Sequence, residues 1–566
     1  MKKHRFIIGL IMVIALPSVV LAAGGAGPCK DVCLLGETRN QDGKSCQLWN
    51  ATTSSWVQEV SVGPGHMHNR ARAHLAWLYN WHLAAGGVVG SRFHDATLAA
   101  LREYASQSDS ALNTGVFLAS EALRSMVTGS PHAQQSVIQT VQVLHDWWNV
   151  AGDPGYLARF AAPVDTDDPI AGQTFETDNE KDHYNQVYNN ELWNWRGHIS
   201  RDQYTGVMIG YSLAYEATND EVTRALIRED VVEFIEQLMR RDVAKMRIQI
   251  DDITLPLPLE VELQYMVFSD DDTENGLPTI MVNTDELTDI YTLGFQLFWP
   301  DIGEVVSQIP GFGWVKTLPN PTVAVQLTSH FLVALQVTEG IPEYASRRAA
   351  ILDFYERHVD DWLDIADKWR NTNRCGEKYY GNNIVFLPMY NLVRLEYNAD
   401  RAARIRNDIL RDRLWDHVAE HKNVLFAHIY ASNADPADPI QDITFSHAQQ
   451  LDLFPPPPLQ DLPKDLTDLY PPWEGCPGRS EIATDLDDRL IEYFLWQKDP
   501  FELISEGEVG KVNPGHDFLV AYWIGRQAGF IDDDAPNTCL VWRELRESVP
   551  EIKSMPWIPL LLLDND

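Results

Sequence analysis

The stretch GHISRDQYTGVMIGYSLAYEATND, residues Gly197–Asp220, begins with reactive side chains, runs into an apolar helix and ends on a turn. His198, Ser200, Arg201, Asp202, Gln203 and Tyr204 fall in its polar half, the densest reactive cluster in the chain. From Thr205 onward the apolar residues recur at helical spacing, entered through a Thr-Gly pair and closed by turn formers. The same plan returns at Thr114–Ser130 (TGVFLASEALRSMVTGS), Thr328–Gly340 (TSHFLVALQVTEG), Asn382–Asp400 (NNIVFLPMYNLVRLEYNAD) and His516–Ile531 (HDFLVAYWIGRQAGFI). A sixth helical signal starts at His68 and ends on Gly86-Gly87.

These six segments are apolar almost all round, as expected of helices buried on both sides. Charged amphipathic segments alternate with them, at Val222–Arg241, Tyr344–Trp369 and Ala402–Lys422. Buried and half-exposed helices in alternation make helical hairpins, here at a repeat of roughly 40–50 residues. Six such hairpins imply an all-α fold, an (α/α)6 toroid or six-hairpin barrel, over residues 66–548. Long insertions at 151–200, 245–325 and 425–500 argue against a regular open solenoid. The second carries MRIQIDDITLPLPLEVELQYMVF, whose alternation points to a hairpin or small sheet. The third is proline-rich and reads as a long surface loop fixed by Cys476.

The flanks speak to compartment. Residues 1–22 have a basic start (Lys2, Lys3, Arg5), an apolar run and a small-residue cleavage pattern, the marks of a signal peptide. Residues 23–65 form an irregular arm holding Cys29, Cys33 and Cys46, and residues 549–566 form a tail. With Cys375, Cys476 and Cys539 the cysteines number six. In an exported chain that predicts three disulfides, at least one of them tying the arm to the body. No later stretch is long enough to span a bilayer, so the mature protein is expected in the periplasm or outside the cell. A net charge of -36 disfavours nucleic acid and anionic lipid as partners. There is no GxSxG, HExxH or P-loop, which disfavours serine hydrolase, zincin and nucleotide chemistry. Ser269–Gly276 (SDDDTENG) has the composition of a calcium loop, but Val282 stands where a bidentate glutamate belongs. It reads as a solvated acidic turn, so no cofactor is expected, with structural calcium as the sharper alternative.

In a toroid the inner-helix N-termini gather at one end of a central cavity, where free N–H groups and positive dipole ends point. The residues preceding those helices are therefore the candidates: His66, His68 and Arg70; Asp109, Asn113 and Thr114; Arg201, Asp202, Gln203 and Tyr204; Ser329 and His330; Asn382 and Asn383; His516 and Asp517. Asp109 and Asp202 each precede a Thr-Gly helix start, and two carboxylates facing one cavity suit general acid–base work on a glycosidic bond. The structural alternative is helix capping. His198, Arg201 and Tyr204 suit a different chemistry, proton removal beside a uronate carboxylate as in polysaccharide lyases. Arg159, in GYLARF, is placed to hold a substrate carboxylate or to pair with one of the many acids. Trp193 and Trp195, in ELWNWRGH, are candidate sugar-stacking platforms, whereas Trp147 and Trp148 read as core.

DSALNTGVFLASEALRSMVTGS, GYLARF, SRDQYTGVMIGYSLAY and NPGHDFLVAYWIGR together resemble the exported bacterial (α/α)6-toroid proteins, the superfamily of unsaturated glucuronyl hydrolases and toroid polysaccharide lyases. In the hydrolases two aspartates at inner-helix entrances serve the reaction, and Asp109 and Asp202 are the positions that match. The resemblance implies a carbohydrate-active enzyme acting on a poly- or oligosaccharide. Hydrolysis by Asp202 and Asp109, with Tyr204 beside them, leads. Elimination is the second reading, and a non-catalytic glycan binder or surface scaffold the third.

Overall fold

The computed structural model describes residues 49–50, 55–56 and 66–531, apart from 176–180, 251–252, 255–257, 269–278, 283–289, 294, 302–318, 371–374, 376–378, 436 and 439. The signal segment, most of the arm, the acidic turn at 269–276, Cys29, Cys33, Cys46, Cys539 and the C-terminal tail lie outside the described residues.

The apolar segments are helices, and three of them begin before their predicted start, Ser110–Thr128 and Arg201–Ala217 by a full turn and Pro321–Val337 by about two. The last shows why. Asn320 caps it, accepting from Thr322 N at 3.0 Å and Val323 N at 3.2 Å, and Pro321 fills the first helical position, where a missing N–H costs nothing. The Tyr380–Leu395 and His516–Gln527 helices complete this buried set together with Val424–Asn433, an apolar run inside what the sequence suggested was a loop insertion. The 110, 201, 321, 380, 424 and 516 helices touch in that order, and the last returns to the first. The Pro131–Asn149, Glu221–Met239, Ala345–Ala366 and Gln441–Leu453 helices pack outside them.

The Thr-Gly pairs mark a helix crossing rather than a helix start. A Cβ on Gly115 would collide with the Gly206 carbonyl, and one on Gly206 would lie 2.6 Å from Leu112 Cα. Only glycine lets the two backbones approach this closely. Gly206→Ala is therefore expected to lose about 1–3 kcal/mol of stability in urea unfolding, because the atoms it meets are backbone and cannot rotate away.

The all-α toroid does not stand. The described residues form strands in several sheets as well as helices, so this part of the chain is mixed α/β. One four-stranded sheet orders Leu459–Gln460, Lys511–Asn513, Gly90–Phe93 and Leu101–Ala105, joining distant parts of the chain. Another pairs Arg241–Ile250 with Leu259–Gln264, antiparallel, and with Thr279–Val282, parallel. A third is hidden in the 151–200 insertion: Phe160–Pro163 beside Glu191–Arg196, which pairs with Asp182–Tyr188. Its hairpin follows from the sequence VYNNEL. Tyr188 faces Glu191 across a two-residue loop, and Asn189 (φ 50°) and Asn190 (φ 65°) take the left-handed backbone that such a loop requires. Nor do the buried helices stand around open space. The Arg201 helix is buried from Gln203 to Leu213, and Asn391 Nδ2 of the Tyr380 helix donates to its Met208 carbonyl at 3.1 Å.

Cys375 and Cys476 are joined by a disulfide across 101 residues of sequence. Among the described residues no helix is long and apolar enough to cross a membrane.

Candidate functional site

Two loops meet where the Ser110 and Arg201 helices begin. The first, Ser106–Asp109, is a short 3-10 turn entered through Ser106 in the left-handed region. The second, Gly197–Ser200, leaves the Glu191–Arg196 strand and turns at His198 (φ 63°), a backbone conformation rare outside glycine. Arg159 fastens one loop to the other. Its Nε donates to the His198 carbonyl at 2.6 Å and its Nη1 to the Ser108 carbonyl at 2.7 Å.

This clamp brings Asp109 and Asp202 together. Gln203 joins them to the helix start: its Oε1 accepts from Leu112 N at 3.0 Å, and its Nε2 donates to Asp109 Oδ1 at 3.5 Å. Asp109 does not cap its helix, since its side chain accepts no backbone N–H there. Burial pushes its carboxyl above the usual range and the charge of Asp202 pushes it further. The Arg159 guanidinium and hydrogen bonds from Ser106 and Gln203 pull the other way. Asp202 Oδ1 accepts from Gln203 N at 3.1 Å and from Ser200 Oγ. Burial lowers the Arg201 guanidinium to about 10 against the pull of Asp202, so it stays charged at neutral pH, and its Nη1 donates to the Leu297 carbonyl at 3.3 Å. Asp109, Arg159, Arg201 and Asp202 are all partly exposed, so the cluster opens to the surface.

Tyr204 departs from its expected catalytic role. It is wholly buried among Trp148, Phe234 and Phe298, and its hydroxyl is used twice, accepting from Leu157 N at 3.0 Å and donating to the Gly155 carbonyl at 2.9 Å. The helix starting at Arg201 turns it inward. Trp195 is also core, stacked on His183 with ring centroids 3.9 Å apart, while Trp193 lines a cavity away from the aspartates.

The remaining candidates form separate groups. Buried Asn113 and His516 meet each other, with Nε2 to Oδ1 at 3.1 Å. Asp517 is committed to Leu495 N, Phe518 N and Asn513 Nδ2 at 2.8–2.9 Å. His330 lies deep in the Pro321 helix beside Phe234, and burial lowers its ring to about 3, which keeps it neutral. Asn382 and Asn383 are buried in the first turn of the Tyr380 helix. His68 sits edge-on to Trp523, and Arg70 bonds the Asp452 carbonyl at 2.5 Å and its Oδ1 at 3.3 Å. Asn113 and His330 lie inside packed turns because their helices start earlier than the spacing suggests, whereas the His516 helix starts where expected and its first two residues are buried all the same.

Two serines prove to be partners of the aspartates: Ser200, which stood in the polar run around Asp202, and Ser106, which the sequence reading passed over. Among the described residues no group of three or more His, Cys, Asp or Glu is placed to hold a metal ion. No protein-family model, curated protein or solved structure matches this chain.

Proposed function

We propose that this protein is an exported carbohydrate-active enzyme, a glycoside hydrolase whose acid–base pair is Asp109 and Asp202. The observation that carries this reading is the pairing itself. Two carboxylates from two helix starts share one environment, and Asp109 is held toward its protonated form by burial and by the charge of Asp202. Asp109 gives its proton to the glycosidic oxygen as the C–O bond breaks. Asp202, already an acceptor of two hydrogen bonds, takes a proton from the water that attacks the anomeric carbon. Arg201 and Arg159 supply positive charge beside the pair, which suits an acidic sugar and fits the resemblance to the glucuronyl hydrolases. Export is supported by the signal-like N-terminus and by the Cys375–Cys476 disulfide, a bond that persists in oxidising compartments. Engagement of the Tyr204 hydroxyl with backbone favours hydrolysis over tyrosine-driven elimination.

A panel of neutral and uronate-containing polysaccharides and unsaturated oligosaccharides tests the reading. Hydrolysis releases reducing ends, with no gain of ultraviolet absorbance from an unsaturated sugar. A gain of that absorbance identifies a lyase. Retention of a glycan without either product identifies a binder.

A further inference from the structure

A cavity of about 460 Å³, which shares no lining residue with this cluster, is walled by the Pro131–Asn149 helix, by Phe117 of the Ser110 helix and by the Glu191–Arg196 strand. That volume suits a small organic molecule. Its walls include the rings of Tyr79, Phe117, Trp147 and Trp193. The Trp193 side chain is 9% exposed, and its indole N–H is buried with no hydrogen-bond acceptor.

Asp146, Asp165, Asp167, Asp168 and Glu191 contribute to the lining, and among the described residues no Lys, Arg or His does. The cations that act on the wall are Arg124, which pairs with Glu121 near Tyr79, and His145, beside Asp146. Asp168 is spoken for, accepting from Tyr104 Oη at 2.8 Å and from the N–H groups of Ile170 and Ala171. Asp146 accepts from Tyr188 Oη at 3.0 Å and Gln142 Nε2 at 3.1 Å, and both donors are neutral. The nearby His145 turns its Nδ1 to Asp230, at 2.8 Å, on the neighbouring helix. Asp165, Asp167 and Glu191 are exposed at the rim. The carboxylates are spread round the cavity and do not meet at a point where a metal ion would bind.

We propose that this cavity binds an organic cation with an apolar body, an aryl- or alkylammonium compound. Its hydrocarbon part lies among the aromatic rings, whose faces attract a cation, and its charge lies toward the carboxylate rim. A neutral apolar ligand leaves the negative rim unanswered, and an anionic one is repelled by it. Burial holds the Asp146 carboxyl above the usual range and Glu191 adds to this, while hydrogen bonds from Tyr188 and Gln142 and the neighbouring His145 pull it back; a cation in the cavity favours its charged form. This inference does not depend on the Asp109–Asp202 reading.

The test is calorimetric titration of the full-length protein at low salt with benzyltrimethylammonium, benzyl alcohol and benzoate. The cation is expected to bind at least about tenfold more tightly than the neutral alcohol, with benzoate showing no binding, and its affinity is expected to fall as salt is added. The exposed rim variant Asp165→Asn/Asp167→Asn/Glu191→Gln touches no ion pair among the described residues and is expected to fold normally, which its thermal midpoint checks. It should weaken the cation by about tenfold and leave benzyl alcohol unchanged. Equal binding of cation and alcohol, preference for benzoate, no binding of the cation, or an unaltered affinity in the folded rim variant would each overturn the proposal.

Discussion

Asp109→Asn and Asp202→Asn are each expected to reduce turnover by about 10²–10⁴-fold, the usual contribution of a positioned acid or base, while the protein remains folded. Asn keeps the shape of Asp and one acceptor oxygen, so Gln203 retains a partner at 109 and Gln203 N retains one at 202. What is lost is the exchangeable proton on one side and the proton acceptor on the other. The measurement is kcat on whichever glycan the panel identifies, alongside a thermal midpoint. A glycan-binding protein would instead show weakened retention only, and a lyase with another base would keep much of its rate in one of the two variants.

Asp109 adds a signature of pH. Its carboxyl is raised, so the acid form needed for catalysis persists above the usual carboxylate range and activity falls as pH rises through its pKa. The stability consequence has the same sign. A group whose folded-state pKa lies above its unfolded value contributes fully below the unfolded pKa, and that contribution is lost as pH rises through the folded one. Asn carries no charge to bury. At neutral pH the Asp109→Asn protein should therefore melt at or above the wild type, with the gap closing in acid. A capping aspartate would give the opposite order, because losing a cap lowers stability.

The helices were legible because their apolar residues recur at a period that only buried helices need. The reading of their ends failed at Thr114-Gly115 and Thr205-Gly206. There a residue pair typical of helix entry serves a close crossing between helices instead. That error of one turn displaced the expected site, since Tyr204 and Asn113 move from loop to helix and so to the interior. Asp109 and Asp202 were legible because acids flanking two similar helix starts sit at similar places in the fold. The strands were hidden by shortness, as in Lys511–Asn513, and by pairing across long sequence separation, which no local pattern reports. The exception was the alternation in MRIQIDDITLPLPLEVELQYMVF, where Arg241–Ile250 and Leu259–Gln264 pair antiparallel as expected of a hairpin or small sheet; the Asn189-Asn190 turn stood in the sequence unread. The cavity went unseen because Tyr79, Phe117, Trp147 and the run Asp165–Asp168 come from separate elements and share no spacing.

The second large effect is expected at Asp182. Asp182 and Arg196 face each other directly across the hairpin and form a bidentate pair, Nε to Oδ1 at 2.7 Å and Nη2 to Oδ2 at 2.9 Å, with both side chains buried. A pair taken out of water gains little over a well-packed apolar pair, but removing one partner strands a buried charge. Asp182→Ala is therefore expected to cost about 3–5 kcal/mol in urea unfolding. The double variant Asp182→Leu/Arg196→Met is expected to recover most of that loss, since no uncompensated charge remains. The pair also reaches the proposed site. Arg196 Nη1 lies 3.4 Å from Gln107 Oε1, in the turn before Asp109, and the Arg196 carbonyl accepts from Arg159 N at 2.9 Å. The double variant keeps that backbone bond but loses the guanidinium contact with Gln107. It should therefore regain stability more fully than turnover. A loss below about 1 kcal/mol in Asp182→Ala would mean that the pair behaves as a solvated surface bridge, and equal recovery of rate and stability would mean that Arg196 does not position the Asp109 turn.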